Sequence, residues 1–205
     1  MTGRKNFDLI KKNLCELGYK VSCFETAAEA AQYMDSQIDK KTVGFGGSVT
    51  LEQMGLYELL EKHNQVSWHQ RMPEGKSSQE VRMEANAASV YISSVNAIAE
   101  TGEIINIDGM GNRVASIFYG HKKVYLVAGE NKIEKDYDAA LYRARNVAAP
   151  LNAKRLGSAT PCAAEGKQCF DCKSPGRICR GLFVLWGKPM ASDYEIILIH
   201  ENLGY

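Results

Sequence analysis

Alternating helical and strand-like patterns in the first third of the chain are the strongest constraint on its fold. Apolar residues recur at helical spacing over residues 7–17 and 26–38, and short apolar runs typical of buried strands occupy residues 20–24 and 41–45. A further helical pattern covers residues 50–63. Chains that alternate in this way fold into a mostly parallel sheet covered by helices. The sequence therefore predicts an α/β fold.

The rest of the chain carries less regular patterns. Helices are predicted over 79–90, 112–118 and 136–156, the last interrupted near Pro150, and strands over 66–69, 95–99, 104–107 and 123–128. Two final apolar runs, 182–186 and 195–200, are joined by a turn that contains Pro189 and predict a hairpin at a sheet edge. No long linker separates these patterns, so we expect a single domain over residues 1–205.

Composition and charge narrow the class of protein. The 205 residues carry 25 Lys and Arg against 24 Asp and Glu, a balance that argues against nucleic-acid binding. No apolar run approaches the ~20 residues of a membrane-spanning helix. The first residues also lack the apolar core of a secretory signal, so the sequence predicts a cytoplasmic protein. In that compartment, cysteines serve more often as metal ligands or redox thiols than as disulfides.

A cysteine-rich loop is predicted at about residues 157–181, where glycine and proline replace large apolar residues. Its four cysteines have the spacing C-x6-C-x2-C-x6-C and are Cys162, Cys169, Cys172 and Cys179. Four thiolates this close in sequence can bind one zinc ion or one [4Fe–4S] cluster, and the spacing does not choose between them. Free or redox-reactive thiols are the remaining alternative. We therefore predict an iron–sulfur cluster or zinc here.

A glycine-rich loop follows the predicted strand 41–45 and precedes a helix. Its glycines, Gly46 and Gly47, let the backbone approach a ligand closely, and Ser48 and Thr50 add hydroxyl donors. This arrangement predicts a binding site for phosphate or carboxylate. The alternative is a tight turn from strand to helix with no ligand.

A second group of polar residues lies in the middle of the chain. Glu100, at a predicted strand end, is a candidate nucleophile or general base. Asn96, Asp108, Asn112 and Arg113 are candidate ligand-binding residues, because an arginine there can make a bidentate contact to a carboxylate or phosphate. Alternatively, Asp108 only caps the next helix and Arg113 only pairs with it.

Four motifs stand out beyond these candidate residues, and they are Val43–Ser48, Asn96–Ile104, Gly111–Arg113 and Val127–Ile133. Together they resemble the LUD-domain family, which is named for lactate utilisation. The resemblance covers about residues 5–200 and implies a fold similar to ribose-5-phosphate isomerase, glucosamine-6-phosphate deaminase and the CoA transferases. It also implies a ligand site at the carboxyl ends of parallel strands, with Gly46, Gly47, Ser48 and Thr50 holding the anion and Glu100 facing the same crevice.

These observations lead to a hypothesis about function. The protein is expected to be a redox-linked component of organic-acid metabolism that binds a small anionic metabolite, with an iron–sulfur cluster passing electrons to a partner protein. One alternative is a sugar-phosphate or CoA-transfer enzyme with a structural zinc site. Another is a non-catalytic, ligand-sensing subunit whose predicted hairpin near 182–186 contacts a partner or a second copy of the chain.

Overall fold

A computed structural model of the protein describes residues 4–205. The strands are β1 (Lys20–Phe24), β2 (Thr42–Phe45), β3 (Gln65–Ser67), β4 (Val90–Ser94), β5 (Ala97–Ala99), β6 (Ile104–Asp108), β7 (Lys123–Gly129), β8 (Ile133–Glu134), β9 (Gly181–Leu185) and β10 (Asp193–Ile199). The helices are α1 (Asp8–Glu16), α2 (Ala27–Gln37), α3 (Val49–Gln53), α4 (Leu56–Leu60), α5 (Ser78–Ala87), α6 (Asn112–Phe118), α7 (Tyr137–Arg143), α8 (Ala149–Arg155) and α9 (Pro161–Glu165).

The main sheet has six parallel strands in the order β1-β10-β7-β4-β2-β3. Alternate residues of its central strands contribute to two separate apolar cores: Val127 belongs to one core, and its neighbour Leu126 belongs to the other. Helices α2, α3 and α4 complete the first core, and α1 and α6 complete the second. Burial on both faces explains why these strands read as continuous apolar runs. The predicted α/β fold, a mostly parallel sheet flanked by helices, is confirmed.

A smaller sheet lies beside the main one, with strands in the order β8-β5-β6-β9. Strand β6 is antiparallel to both β5 and β9, whereas β5 and β8 are parallel. The small side chains of Ala97, Ala99, Ala140 and Ala144 let this sheet pack closely against α7 and the turn that follows it. The chain passes directly from β4 in the main sheet to β5 in the small sheet, so the short segment after β4 lies between the two sheets.

Two predictions about strands were wrong. The apolar runs near the end of the chain do not form a hairpin, because β9 pairs with β6 in the small sheet and β10 lies between β1 and β7 in the main sheet. The loop between them exposes Trp186 and Met190. Association of this segment with a partner or a second copy stays a prediction. Strand β4, at the centre of the main sheet, lies between the predicted helix 79–90 and the predicted strand 95–99, and the patterns did not indicate it.

The predicted helix over residues 136–156 is present with an irregular middle. A π-helical turn (Ala144–Ala148) joins α7 to α8, and Pro150 lies in the first turn of α8. Proline fits there because it has no N–H to donate to the preceding turn. The wider turn shifts the register between the two helices, and α8 then presents Asn152 and Arg155 toward the carboxyl edge of the main sheet.

The cysteine-rich loop takes little regular structure. Helix α9 holds Cys162, and residues 166–180 run without helix or strand until β9 begins. Arg180 donates its backbone N–H to Asp108 O at 2.9 Å, which joins the end of the loop to the end of β6. Among residues 4–205, no helix is long and apolar enough to cross a membrane.

A substitution in β2 tests the close contact between the main sheet and α5. A Cβ atom added at Gly44 would lie 2.2 Å from the carbonyl oxygen of Ala85, so Gly44→Ala must displace the helix backbone. We expect a loss of about 1–3 kcal/mol in the free energy of unfolding, measured by urea denaturation. The control is Gly181→Ala, where the nearest atom, Asp108 O, would lie at an ordinary 4.0 Å from the added Cβ. Equal stability of the two variants would contradict the packing argument.

Candidate functional site

A cavity of about 430 Å³ opens at the carboxyl edge of the main sheet. From β2 the chain passes outward to β3 and then returns to β4 on the other side of β2, so the direction of the strand order reverses there. Ligands of open α/β sheets bind in the crevice that such a reversal leaves. The loops after β2, β4, β6 and β7 line the cavity, together with α8 and the end of the cysteine-rich loop.

The glycine-rich loop forms one wall. Gly47, Ser48 and Thr50 line the cavity, whereas Gly46 lies beneath it, where its carbonyl accepts a hydrogen bond from Trp68 Nε1 at 3.1 Å. The Ser48 hydroxyl accepts from the backbone N–H of Leu51 at 3.1 Å and so caps α3. The Ser48 backbone N–H donates to Gln70 Oε1 at 2.9 Å. The Ser48 N–H is therefore used within the protein, and its hydroxyl is occupied in capping α3.

The polar group after β6 forms a clamp around Arg113. The Asp108 carboxylate accepts from Arg113 Nε at 3.1 Å and from the backbone N–H of Gly111 at 2.7 Å. The other guanidinium N–H groups donate to carbonyl and amide oxygens from both sheets. The acceptors are Ser94 O, Asn106 Oδ1, Asn96 Oδ1 and Ile107 O. All five N–H groups of Arg113 therefore have partners, and its main role is to hold the site together.

Asn96, Asp108, Asn112 and Arg113 all line the cavity, and their role in binding a ligand stays a prediction. Asn96 Oδ1 also accepts from the backbone N–H of Ile107 at 2.7 Å, which joins the loop after β4 to β6. The contacts of Asp108 agree with the alternative prediction. Asp108 pairs with Arg113 and also accepts from the backbone just before α6.

Glu100 is not at this cavity, which corrects the expectation that it faces the same crevice. It lies in the turn after β5 and lines a separate surface depression with Lys5, Glu134 and Lys135. Its backbone N–H donates to Glu134 O at 2.7 Å, and its carbonyl accepts from Asn13 Nδ2 at 2.7 Å. The reason is that β5 belongs to the small sheet, so the residue after it does not join the loops at the carboxyl edge of the main sheet.

Positive charge dominates the cavity. Five cations line it besides Arg113, and they are Arg82, Lys132, Arg155, Arg177 and Arg180. Within residues 4–205, none of these five has an Asp or Glu carboxylate oxygen within 4.0 Å. Among the lining residues that the structure describes, Asp108 is the one with a carboxylate side chain, and Arg113 already neutralises it. The cavity thus carries an uncompensated positive charge.

His69 and Arg82 contribute polar atoms that are buried and lack a hydrogen-bond partner among the described residues, His69 Nδ1 and Arg82 Nε. Burial, and the charges of Arg82 and Arg155, lower the pKa of His69 to about 4. The imidazole is therefore neutral near pH 7, with one nitrogen donor and one acceptor. Buried polar atoms without partners in a cavity indicate the position of a ligand or of ordered water.

Lys132 lies at the floor of the cavity and is only 3% exposed. Its Nζ donates to Thr50 Oγ1 at 2.8 Å. Burial, followed by the charges of Arg143 and Arg113, lowers the pKa of Lys132 to about 7. At neutral pH a substantial fraction of this amine is uncharged, unlike an exposed lysine.

The loop that carries Lys132 is fixed on both sides. Arg143 Nε donates to Asn131 O at 2.7 Å, and Arg143 Nη1 also donates to Asn96 O. Asn131 Oδ1 accepts from the backbone N–H of Leu203 at 3.0 Å. These contacts tie the 3₁₀ turn (Glu130–Lys132) to the loop after β4 and to residues after β10, so the position of the amine is set by three chain segments.

The four cysteines of the cysteine-rich loop surround a second, smaller cavity. Three sulfurs lie near a hydrogen-bonding group: Cys169 Sγ accepts from Asp171 N at 3.3 Å, Cys162 Sγ lies 3.3 Å from Thr160 Oγ1, and Cys179 Sγ lies 3.5 Å from Arg177 Nη2. Hydrogen bonds from the side chain and backbone of Ser174 lower the pKa of Cys172. Across residues 4–205, however, no three His, Cys, Asp or Glu side chains are grouped closely enough to ligate one ion.

The two cavities share a wall. Ala149, Arg177 and Ile178 line both of them. Arg177 donates to the carbonyl oxygens of Cys172 and Cys179, at 2.8 Å and 3.1 Å. Its guanidinium thus contacts the cysteine loop on one side and adds positive charge to the larger cavity on the other.

Comparison with known proteins identifies the family. A sequence model described as the LUD domain matches residues 7–199. The chain belongs to the LUD-domain family. The crystal structure of a DUF162 family protein from Deinococcus radiodurans is similar to this LUD-domain protein at a TM-score of 0.51 and 10% identity, over 93% of this chain and 94% of that one. At this identity the likeness concerns the fold alone.

Ribose 5-phosphate isomerase from Plasmodium falciparum gives a TM-score of 0.33 at 14% identity, over 53% of this chain and 52% of that one, which is too low to support a conclusion. No curated protein has a matching sequence.

The sequence did not indicate which cations make the cavity of this LUD-domain protein positively charged. Arg82 lies in α5 and Arg155 in α8, where a charged residue on an exposed helix face is unremarkable. Arg177 and Arg180 lie beside Cys179 in the cysteine-rich loop, where nothing in the sequence indicates that they reach this cavity. Lys132 lies three residues after the end of β7, and its place in the family motif Val127–Ile133 is the one local signal at this position.

Removal of Arg113 tests its structural role in the LUD-domain fold. Arg113→Ala leaves the Asp108 carboxylate, whose side chain is only 10% exposed, without its charged partner, so we expect a loss of about 3 kcal/mol in the free energy of unfolding. The matched control, Arg155→Ala, removes a more exposed arginine from the same cavity and should change stability by no more than about 0.5 kcal/mol. Guanidinium denaturation followed by circular dichroism distinguishes the two, and similar losses would contradict the clamp.

Proposed function

We propose that this LUD-domain protein binds a small organic anion, a carboxylate or a phosphate, in the basic cavity, as a component of organic-acid metabolism. The observation that carries the proposal is the set of five cations around one cavity without a carboxylate partner among the described residues. Like charges held together in a partly desolvated site repel one another. An anion relieves that repulsion and supplies acceptors for the buried donors, Arg82 Nε among them.

The composition of the cavity favours an anion with more than one acceptor oxygen. Arginines contact carboxylates and phosphates through paired N–H groups, and a neutral His69 adds a donor or an acceptor without adding charge. The volume of about 430 Å³ lies in the range of small-molecule sites. An enzyme in which Glu100 is the base of this same site is not supported, because Glu100 lies at another surface.

We also propose that Cys162, Cys169, Cys172 and Cys179 hold a metal centre, an iron–sulfur cluster in preference to zinc. Their placement around one small cavity supports this proposal, although among the described residues no three of them stand close enough to ligate one ion without a shift of the loop. If a cluster is bound, the hydrogen-bonding groups near the sulfurs would tune its potential. When bound, a [4Fe–4S] cluster supplies one-electron transfer. The shared wall at Arg177 supports a redox link between that centre and the anion cavity, and a partner protein would exchange the electrons.

Anion binding is tested by isothermal titration calorimetry at low ionic strength with lactate, pyruvate and inorganic phosphate. A charged hydrogen bond contributes about 1.5–3 kcal/mol, so Arg82→Gln and Arg155→Gln should each weaken binding roughly 10- to 100-fold. The control is Lys62→Gln, an exposed lysine outside the cavity, which should bind as the wild-type chain does. Absence of binding by every anion in the panel would refute the proposed function.

The metal centre is tested by iron, sulfide and zinc analysis of protein purified without oxygen. About four irons with matching sulfide are expected for a [4Fe–4S] centre. Cys172→Ser should lower the metal content, and Cys15→Ser, an exposed cysteine outside the cluster, should not. One zinc without colour would refute the redox role and leave a structural site. Absence of both metals would refute the metal centre itself.

A further inference from the structure

Lys132 differs from the other cations of the basic cavity. It is 3% exposed, and its amine has one hydrogen-bond partner among the described residues, the Thr50 hydroxyl at 2.8 Å. The charged groups nearest to it, Arg113 and Arg143, are both positive. An amine that is desolvated and surrounded by cations favours its neutral form, which has a free lone pair.

An uncharged amine is poorly suited to holding an anion, which the arginines do better, but it is a nucleophile toward carbonyl carbon. Thr50 Oγ1 donates to Leu203 O at 3.3 Å and accepts from Lys132 Nζ. The hydroxyl therefore accepts a hydrogen bond from one N–H of the amine and helps to fix the orientation of the amine. The other cations of the cavity are placed to hold the acidic group of a substrate while its carbonyl carbon meets the amine.

We propose that Lys132 forms an imine with an anionic carbonyl compound bound in the basic cavity. The inference rests on the proposed anion-binding function and names its substrate class. Lys132 Nζ attacks the carbonyl carbon to give a carbinolamine. The carbonyl oxygen then leaves as water with the two hydrogens of the amine, and a carbon–nitrogen double bond replaces the carbon–oxygen double bond. No oxidant or reductant takes part.

Two kinds of compound share this chemistry. In a 2-oxo acid the carbonyl is adjacent to a carboxylate, and in a phosphorylated sugar it is separated from the phosphate by several carbons. Thr50 orients the amine toward the cavity, since its hydroxyl accepts a hydrogen bond from Nζ at 2.8 Å. It is a positioning residue, whereas Lys132 is the residue that contacts the reacting carbon.

The test is reductive trapping on the full chain. Pyruvate in one arm and ribose 5-phosphate in the other are incubated with sodium cyanoborohydride, and the modified lysine is located by peptide mass spectrometry. We expect modification at Lys132 in the arm that matches the substrate class. An amine whose pKa is about 7 should react on the order of 10²- to 10³-fold faster near pH 7 than an ordinary lysine. The rate should rise with pH through this range and then level off.

Variants separate the imine from simple binding. Lys132→Met and Lys132→Arg should lose the trapped product, Lys154→Met outside the cavity should keep it, and Thr50→Val should slow its formation. Excess lactate, an anion without a ketone or aldehyde group, should protect Lys132 of the wild-type chain from trapping because it occupies the same cavity. If calorimetry shows anion binding and neither arm traps Lys132 above other lysines, the imine is refuted while the proposed function stands. If no anion binds and nothing is trapped, both fail.

Discussion

Parallel pairing of the six main strands is the constraint on which the rest of the structure depends. Parallel strands end on the same side, so the loops after β2, β4, β7 and β10 meet at one edge although they are far apart in the chain. The pairing is stable because helices on both faces bury the central strands. The residues after these strands form one side of the candidate site.

Arg113 converts that edge into a defined cavity. Its guanidinium is held by oxygens of Ser94 from the main sheet and of Asn106 and Ile107 from the small one. All N–H donors of this largely buried guanidinium have partners, so it fixes the position of one sheet against the other. Asp108 balances the positive charge of Arg113. Arg113, which the sequence analysis predicted to bind a ligand, thus organises the site, and the cations without a carboxylate partner line the cavity around it.

The remaining cations connect the proposed anion binding with the proposed chemistry of Lys132. Arg82 and Arg155 are the proposed anion contacts, whereas the protonated form of Lys132 is disfavoured by burial and then by the charges of Arg143 and Arg113. Arg177 belongs both to this cavity and to the loop that carries the four cysteines. A change in the conformation of the cysteine-rich loop would therefore move the Arg177 charge at the basic cavity, where we propose that an anion binds.

The sequence by itself determined the α/β class, because the periodicity of apolar residues records which faces of each element are buried. It also determined the local clusters, since Asn96, Asp108 and Arg113 meet across short loops. Only the tertiary structure decided that Lys132 joins them and that Glu100 does not. The physical reason is that strand order and the assignment of each strand to a sheet depend on long-range pairing, for which no short segment of sequence carries a signal.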